Sequence, residues 1–242
     1  MVAIKSTDPK IAEIINAMRS RDTWRTYKKA QAQKIAGKVP EDKCKKFADW
    51  LNLKFVTICD EMHIFDMARD WATRPDSDKL AVAQKIIRRF VDVMRGESPM
   101  GRPVSKDDTD EYTDVPMPEF SVRATSDGLM SVSNLGVVNI NPRWPHYNDL
   151  GRFLMDLRHE AAHIVDIFFP DLSPLDSAVR RDAMMFYVDG HDDFGLYSKN
   201  PLELNANMGR DEFGELVRTK IAVCEYMHAR GAMRGGERSW TR

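Results

Sequence analysis

The chain is poor in cysteine: Cys44, Cys59 and Cys224 are the 3 present in 242 residues. Three scattered thiols cannot build a disulfide framework or a thiolate metal site. Each lies in an apolar-periodic segment, so all are expected as buried free thiols. An excess of either charge is also lacking. With 36 Lys+Arg against 37 Asp+Glu the formal net charge is -1. That balance creates no global field to draw a nucleic acid or an anionic membrane, and no nucleic-acid partner is expected. No apolar run reaches membrane-spanning length, so no membrane span is expected. The opening "MVAIKSTDPKIAEIINAM" has neither the apolar core nor the small-residue cleavage pattern of a secretory leader. The expectation is a protein that is cytoplasmic as synthesised, with export left to a specialised secretion system that uses no such leader.

What is present is enough to build a core. Hydrophobic residues make up 43% of the chain, charged residues 30%, and there are 5 tryptophans. Disordered chains are poorer in core formers. Residues 1–97 read as a helical bundle region. Phe47, Leu51, Phe55, Ile58, Met62 and Phe65 recur at three- and four-residue spacing, as do Leu80, Ala83, Ile87, Phe90 and Met94 behind an Asp76 or Ser77 cap. Residues 98–118 gather prolines and acids without periodicity and read as a linker or long loop. Beyond them, short runs at 120–125, 129–133 and 137–140, broken by Ser-Asp-Gly, predict a small antiparallel sheet. A helix follows from Asn148 or Asp149 to Pro170, then an irregular stretch with one short helix over 177–187. A last long helix is expected from Asn200 toward Arg230. The expected fold class is α+β, with the small sheet and the two helices after it forming a core over 119–242.

Chemistry concentrates in "RHEAAHIVD", residues 158–166. At 100° per residue, Leu150, Phe153, Leu157, Ala161, Ile164 and Phe168 share one face, and Arg152, Asp156, His159, His163 and Asp166 share the other. Histidines at i and i+4 leave adjacent turns side by side, so both imidazoles can reach one cation ~2.0–2.1 Å away. Glu160, one position round, can approach a water on the open side of that cation without ligating it. The plainer reading is a polar face turned to water.

"HEAAH" at 159–163 resembles the motif of the zincin metallopeptidases, and the order of sheet, motif helix and later ligand-bearing helix over about 119–230 is similar to their core. The metzincin continuation is missing, because "IVDIFFPDLS" follows. A catalytic Zn2+ takes three protein ligands, so one more donor is needed. Glu203, with Asn207 four residues on, looks like the gluzincin arrangement, although an acid stands there in that group. An amide at Asn207 could still accept from an imidazole N–H. Three alternatives stay open. Glu203 could instead close a capping box with Asn200. His191, in "DGHDDFG", is a rival ligand, and Asp166 could ligate, support a ligand or simply face solvent.

The resemblance implies a zinc endopeptidase acting on protein or peptide substrates. His159, His163 and Glu203 would hold Zn2+, which lowers the pKa of a bound water from 15.7 to about 7, and Glu160 would take its proton as general base. Tyr197 is the expected donor to the tetrahedral oxygen, with His228 behind it. The strand "VVNI", as an edge, could pair with an extended substrate. A bacterial effector or toxin fits such a chain. Two further readings are a catalytically inactive zincin-fold protein that binds metal or a partner, as in a phage or secretion-system component, and a helical interaction protein with a coincidental motif.

Overall fold

The computed structural model describes residues 14, 21–98, 118–126, 128 and 130–237, with side chains as far as 230. The expected 98–118 linker lies outside the described residues apart from Ser98 and Pro118. The described helices are α1 (Arg21–Ile35), α2 (Glu41–Glu61), α3 (Asp76–Glu97), α4 (Leu150–Phe168), α5 (Ser177–Met185), α6 (Phe194–Tyr197), α7 (Pro201–Asn207) and α8 (Arg210–Glu237). Three strands, β1 (Ser121–Ala124), β2 (Met130–Val132) and β3 (Val137–Ile140), complete an α+β fold that is mostly helical. No described helix is long and apolar enough to cross a membrane.

The chain forms two compact units. The described parts of Met1–Pro40 and Leu175–Asn205 make one, and Glu41–Pro174 with the described part of Ala206–Arg242 makes the other. In the larger unit the predicted apolar faces of α2, α3 and α4 meet in one core. Phe47, Leu51 and Phe55 of α2, Ala83, Ile87 and Phe90 of α3, and Phe153, Leu157 and Ile164 of α4 are all buried there with Phe213 of α8. Helices α2 and α3, read from the sequence as part of a separate N-terminal region, therefore share the hydrophobic core of the motif helix. Trp71 is almost wholly buried and donates its indole N–H to the Tyr147 carbonyl at 3.0 Å, which anchors the approach to α4.

The sheet differs from the antiparallel expectation. Its order is β1-β3-β2, with β1 parallel to β3 and β2 antiparallel to it. Val138 and Ile140 carry the deepest apolar side chains of the sheet, at 0% and 1% exposure, which favours the central place for β3. The tight Ser133–Gly136 turn, with Gly136 at φ 74, brings β2 beside β3. Asn141 holds the β1–β2 connection elsewhere through the carbonyls of Ser126 and Gly128. "VVNI" is thus no edge. The outer side of β1 is occupied as well: Gln84 of α3 donates to the Phe120 carbonyl and accepts from Val122 N–H. Among the described strands, β2 is the edge left, and it packs against α4.

In the smaller unit Ala32 of α1 packs with Phe186 and Val188 after α5, and Trp24, Tyr27 and Leu196 cover them. Lys29 pairs with Asp193 and Arg25 with Asp192, fixing α1 to the loop before α6. The single long helix expected from Asn200 is instead two. Gly209, at φ 68, ends α7 and lets α8 begin at Arg210. A side chain there would also meet Ala48 Cβ at 2.9 Å.

Candidate metal centre

Helix α4 begins as its sequence predicts, with the Asp149 carboxylate accepting from Arg152 N–H at 3.0 Å, and stops at Phe168, two residues before Pro170. Its apolar stripe faces the core. Its polar stripe is exposed only at the start: Arg152 is exposed, whereas Glu160, His163 and Asp166 are 5%, 8% and 0% exposed. The wet-stripe reading of the motif is therefore wrong over most of its length. Burial of ionisable groups without a role is costly, so a helix that buries them in succession calls for a compensating use.

The imidazoles of His159 and His163 stand nearly perpendicular, at 81°, with ring centroids 4.8 Å apart and Nε2 atoms 3.1 Å apart. Two donors each ~2.05 Å from one ion would be 3.1 Å apart at an angle of about 98°. That lies close to tetrahedral and matches the bite that i, i+4 histidines present to a cation. Glu160 follows His159 in the helix and is buried.

Neighbouring residues of α4 are held by polar contacts that sequence reading did not anticipate. Arg158 is fully buried, donates its Nε–H to Asn52 Oδ1 at 2.8 Å and its Nη1–H to the Ala206 carbonyl at 2.6 Å. Asn52 passes the contact on, donating to the Gly209 carbonyl at 2.9 Å. Burial, together with the like charge of Arg210, lowers the Arg158 pKa to about 10. Within the larger unit Arg158 thus ties α4 to the backbone at Ala206 and, through Asn52, to that at Gly209. Asp166 accepts from Ser173 Oγ at 2.5 Å, which settles its solvent-facing alternative: it is a buried acid. Upstream, Asp156 pairs with Arg210, and His146 links Asp156 to Arg152.

Within the smaller unit, Glu203 sits in the first turn of α7 and is 1% exposed. The capping-box alternative does not form. Asn200 caps the helix by accepting from Leu202 N–H at 2.9 Å, while its own N–H donates to the Tyr197 carbonyl. The Glu203 carboxylate instead accepts from the Tyr187 hydroxyl, 2.6 Å from Oε1. Burial first, then the Glu203 charge and hydrogen bonds to Glu203 and Tyr197, push the Tyr187 phenol far above its ordinary pKa. Tyr197 stacks edge-on against Tyr187 at 5.9 Å, one phenol removed from the carboxylate. His191 lies in an exposed turn where its N–H bonds Asp189, and Asn207 is exposed at the end of α7. On α8, His228 is exposed, and its Nδ1 faces the carbonyl of Cys224 at 2.8 Å.

Comparison with family models, curated proteins and solved structures finds no match to this chain. The site is read from its own geometry. Tyr187, Asn52 and Arg158 are the residues that sequence reasoning missed. Tyr187 falls in an irregular stretch with no periodicity, and Asn52 and Arg158 are connected only by the tertiary fold. Their sole sequence signal is a polar residue inside an apolar helical face, visible for Asn52 next to Leu51.

Proposed function

We propose that this protein is a zinc-dependent endopeptidase with a zincin-like core, in which His159, His163 and Glu203 hold one Zn2+ and Glu160 is the general base. The reading is carried by the 3.1 Å separation of the two imidazole Nε2 atoms on a helix that also buries Glu160. Glu203, buried in the first turn of α7, offers a carboxylate as the third donor. Two imidazoles and a carboxylate are a donor set that suits Zn2+ and leaves a fourth position open.

When bound, Zn2+ supplies Lewis acidity toward water and a substrate carbonyl. The chain's own residues do the rest. Glu160 accepts the proton of the attacking water and returns it to the leaving amine. Its burial raises the strength of that hydrogen bond by lowering the local dielectric. Tyr197 is the assigned donor to the tetrahedral oxygen. An extended protein or peptide substrate pairs with the β2 edge, because β3 is flanked on both sides and Gln84 occupies β1.

The test is cleavage of unstructured proteins by the zinc-loaded chain and by Glu160→Gln. The variant should retain zinc and lose ~10²–10⁴ of the rate. Equal behaviour of the two across a broad substrate panel contradicts the peptidase reading. Zinc retention without cleavage by the wild type favours the inactive, metal-binding alternative.

A further inference from the structure

The Tyr187–Glu203 pair has a geometry that neither helix capping nor packing requires. Tyr187 is not part of a helix; it follows the end of α5 at Met185. Its backbone is pinned on both sides by Phe186 and Val188, buried at 2% and 4% in the small apolar cluster with Ala32. The stretch is then indexed to α7 by Asn200, whose side chain donates to the Ala183 carbonyl at 3.2 Å and accepts from Leu202 N–H. Phenol and carboxylate are thereby set 2.6 Å apart by two independently fixed segments. Tyr197, stacked edge-on at 5.9 Å, restricts the Tyr187 ring.

A carboxylate ligand has two oxygens and a free χ3 rotation, and groups that hydrogen-bond a ligand from outside set its orientation and typically change metal affinity 10–100-fold. We propose that Tyr187 is the positioning residue of the metal centre, fixing the orientation of the Glu203 carboxylate through its hydrogen bond to Oε1. This rests on the reading of Glu203 as a ligand. A carboxylate held in this way has one orientation before the ion arrives, so less order is lost on binding.

The experiment is a zinc titration of the metal-stripped full-length chain against a chromophoric chelator, run as a cycle of wild type, Tyr187→Phe, Glu203→Gln and the double variant. Melting of each metal-free protein is measured alongside. Tyr187→Phe should weaken zinc binding ~10–100-fold in the wild type. It should have no further effect in the Glu203→Gln background, because the phenol acts through that carboxylate. Cobalt substitution adds a signature: the visible spectrum of the Co2+ form should change in Tyr187→Phe. If Tyr187→Phe binds zinc like the wild type while Glu203→Gln binds it weakly, the inference is wrong and the metal centre stands. Equal weakening in both backgrounds shows an effect through folding and also overturns the inference. If Glu203→Gln binds like the wild type, or the wild type binds no zinc, the reading of the site falls first and the inference with it. Should Tyr187→Phe not fold, Tyr187→Leu, which also removes the hydroxyl donor, takes its place in the cycle, with the same outcomes scored.

Discussion

Replacing Asn52 by leucine keeps the side-chain volume and removes both of its polar contacts. Arg158 Nε–H then loses its acceptor at 2.8 Å, and the Gly209 carbonyl loses its donor at 2.9 Å. Asn52 is 3% exposed and Arg158 0%, so water does not replace either bond. A hydrogen bond to a charged group contributes ~1.5–3 kcal/mol and a neutral one ~1 kcal/mol. Asn52→Leu should therefore cost about 3 kcal/mol. For a chain of this size that lowers the Tm by roughly 6–12 °C. Arg158 Nη2 has no partner among the described residues, so the cation depends on Nε and Nη1 for its compensation. Removing the cation as well should restore part of the loss: Asn52→Leu with Arg158→Met should be at least ~1 kcal/mol more stable than the sum of the two single effects. Urea unfolding of the metal-free protein, followed by tryptophan fluorescence, reads all four proteins, with buried Trp71 as a reporter. An Asn52→Leu protein within ~0.5 kcal/mol of wild type, the range of an ordinary surface change, refutes the claim that this network ties α2 and α4 to the backbone at Ala206 and Gly209.

Two other outcomes follow from the same structure. Gly209→Ala places a Cβ at φ 68 and 2.9 Å from Ala48 Cβ, and should lower stability by ~1–3 kcal/mol in the same unfolding assay. Burial, then the charge of Asp166, pushes the Cys44 thiol up to about 11 from 9.0. The folded thiol therefore keeps its proton where the unfolded one loses it. Its contribution is fully present below pH 9.0 and is lost as pH rises through about 11. The urea midpoint should fall between pH 8 and 11, and fall less in Cys44→Ala; identical slopes contradict the assignment.

How much of this was legible beforehand depends on the range of the interactions. Helix α4 was readable end to end, because Asp149, the apolar stripe and Pro170 are local signals, and α2 and α3 followed from their periodicity. The order of the sheet was not. Parallel pairing of β1 with β3 is a long-range event, and the β-branched run "VVNI" marks a buried strand without saying which neighbours it takes. The break at Gly209 is visible in the sequence as a glycine, but the helical pattern on both sides of it continues across the position. At the site, the i, i+4 histidines and Glu160 were found by spacing alone. The burial of Asp166, the bond of Glu203 to Tyr187 rather than to the Asn200 backbone, and the Arg158–Asn52 clamp all depend on residues brought together from distant parts of the chain. A helical wheel sorts residues by face and cannot say which polar face another element will cover.

The central claim is a metal centre built on His159 and His163, and elemental analysis of the purified full-length chain tests it most directly. About one equivalent of zinc per chain is expected, lost in His159→Ala and in His163→Ala. Less than about half an equivalent, unchanged by His159→Ala, contradicts it.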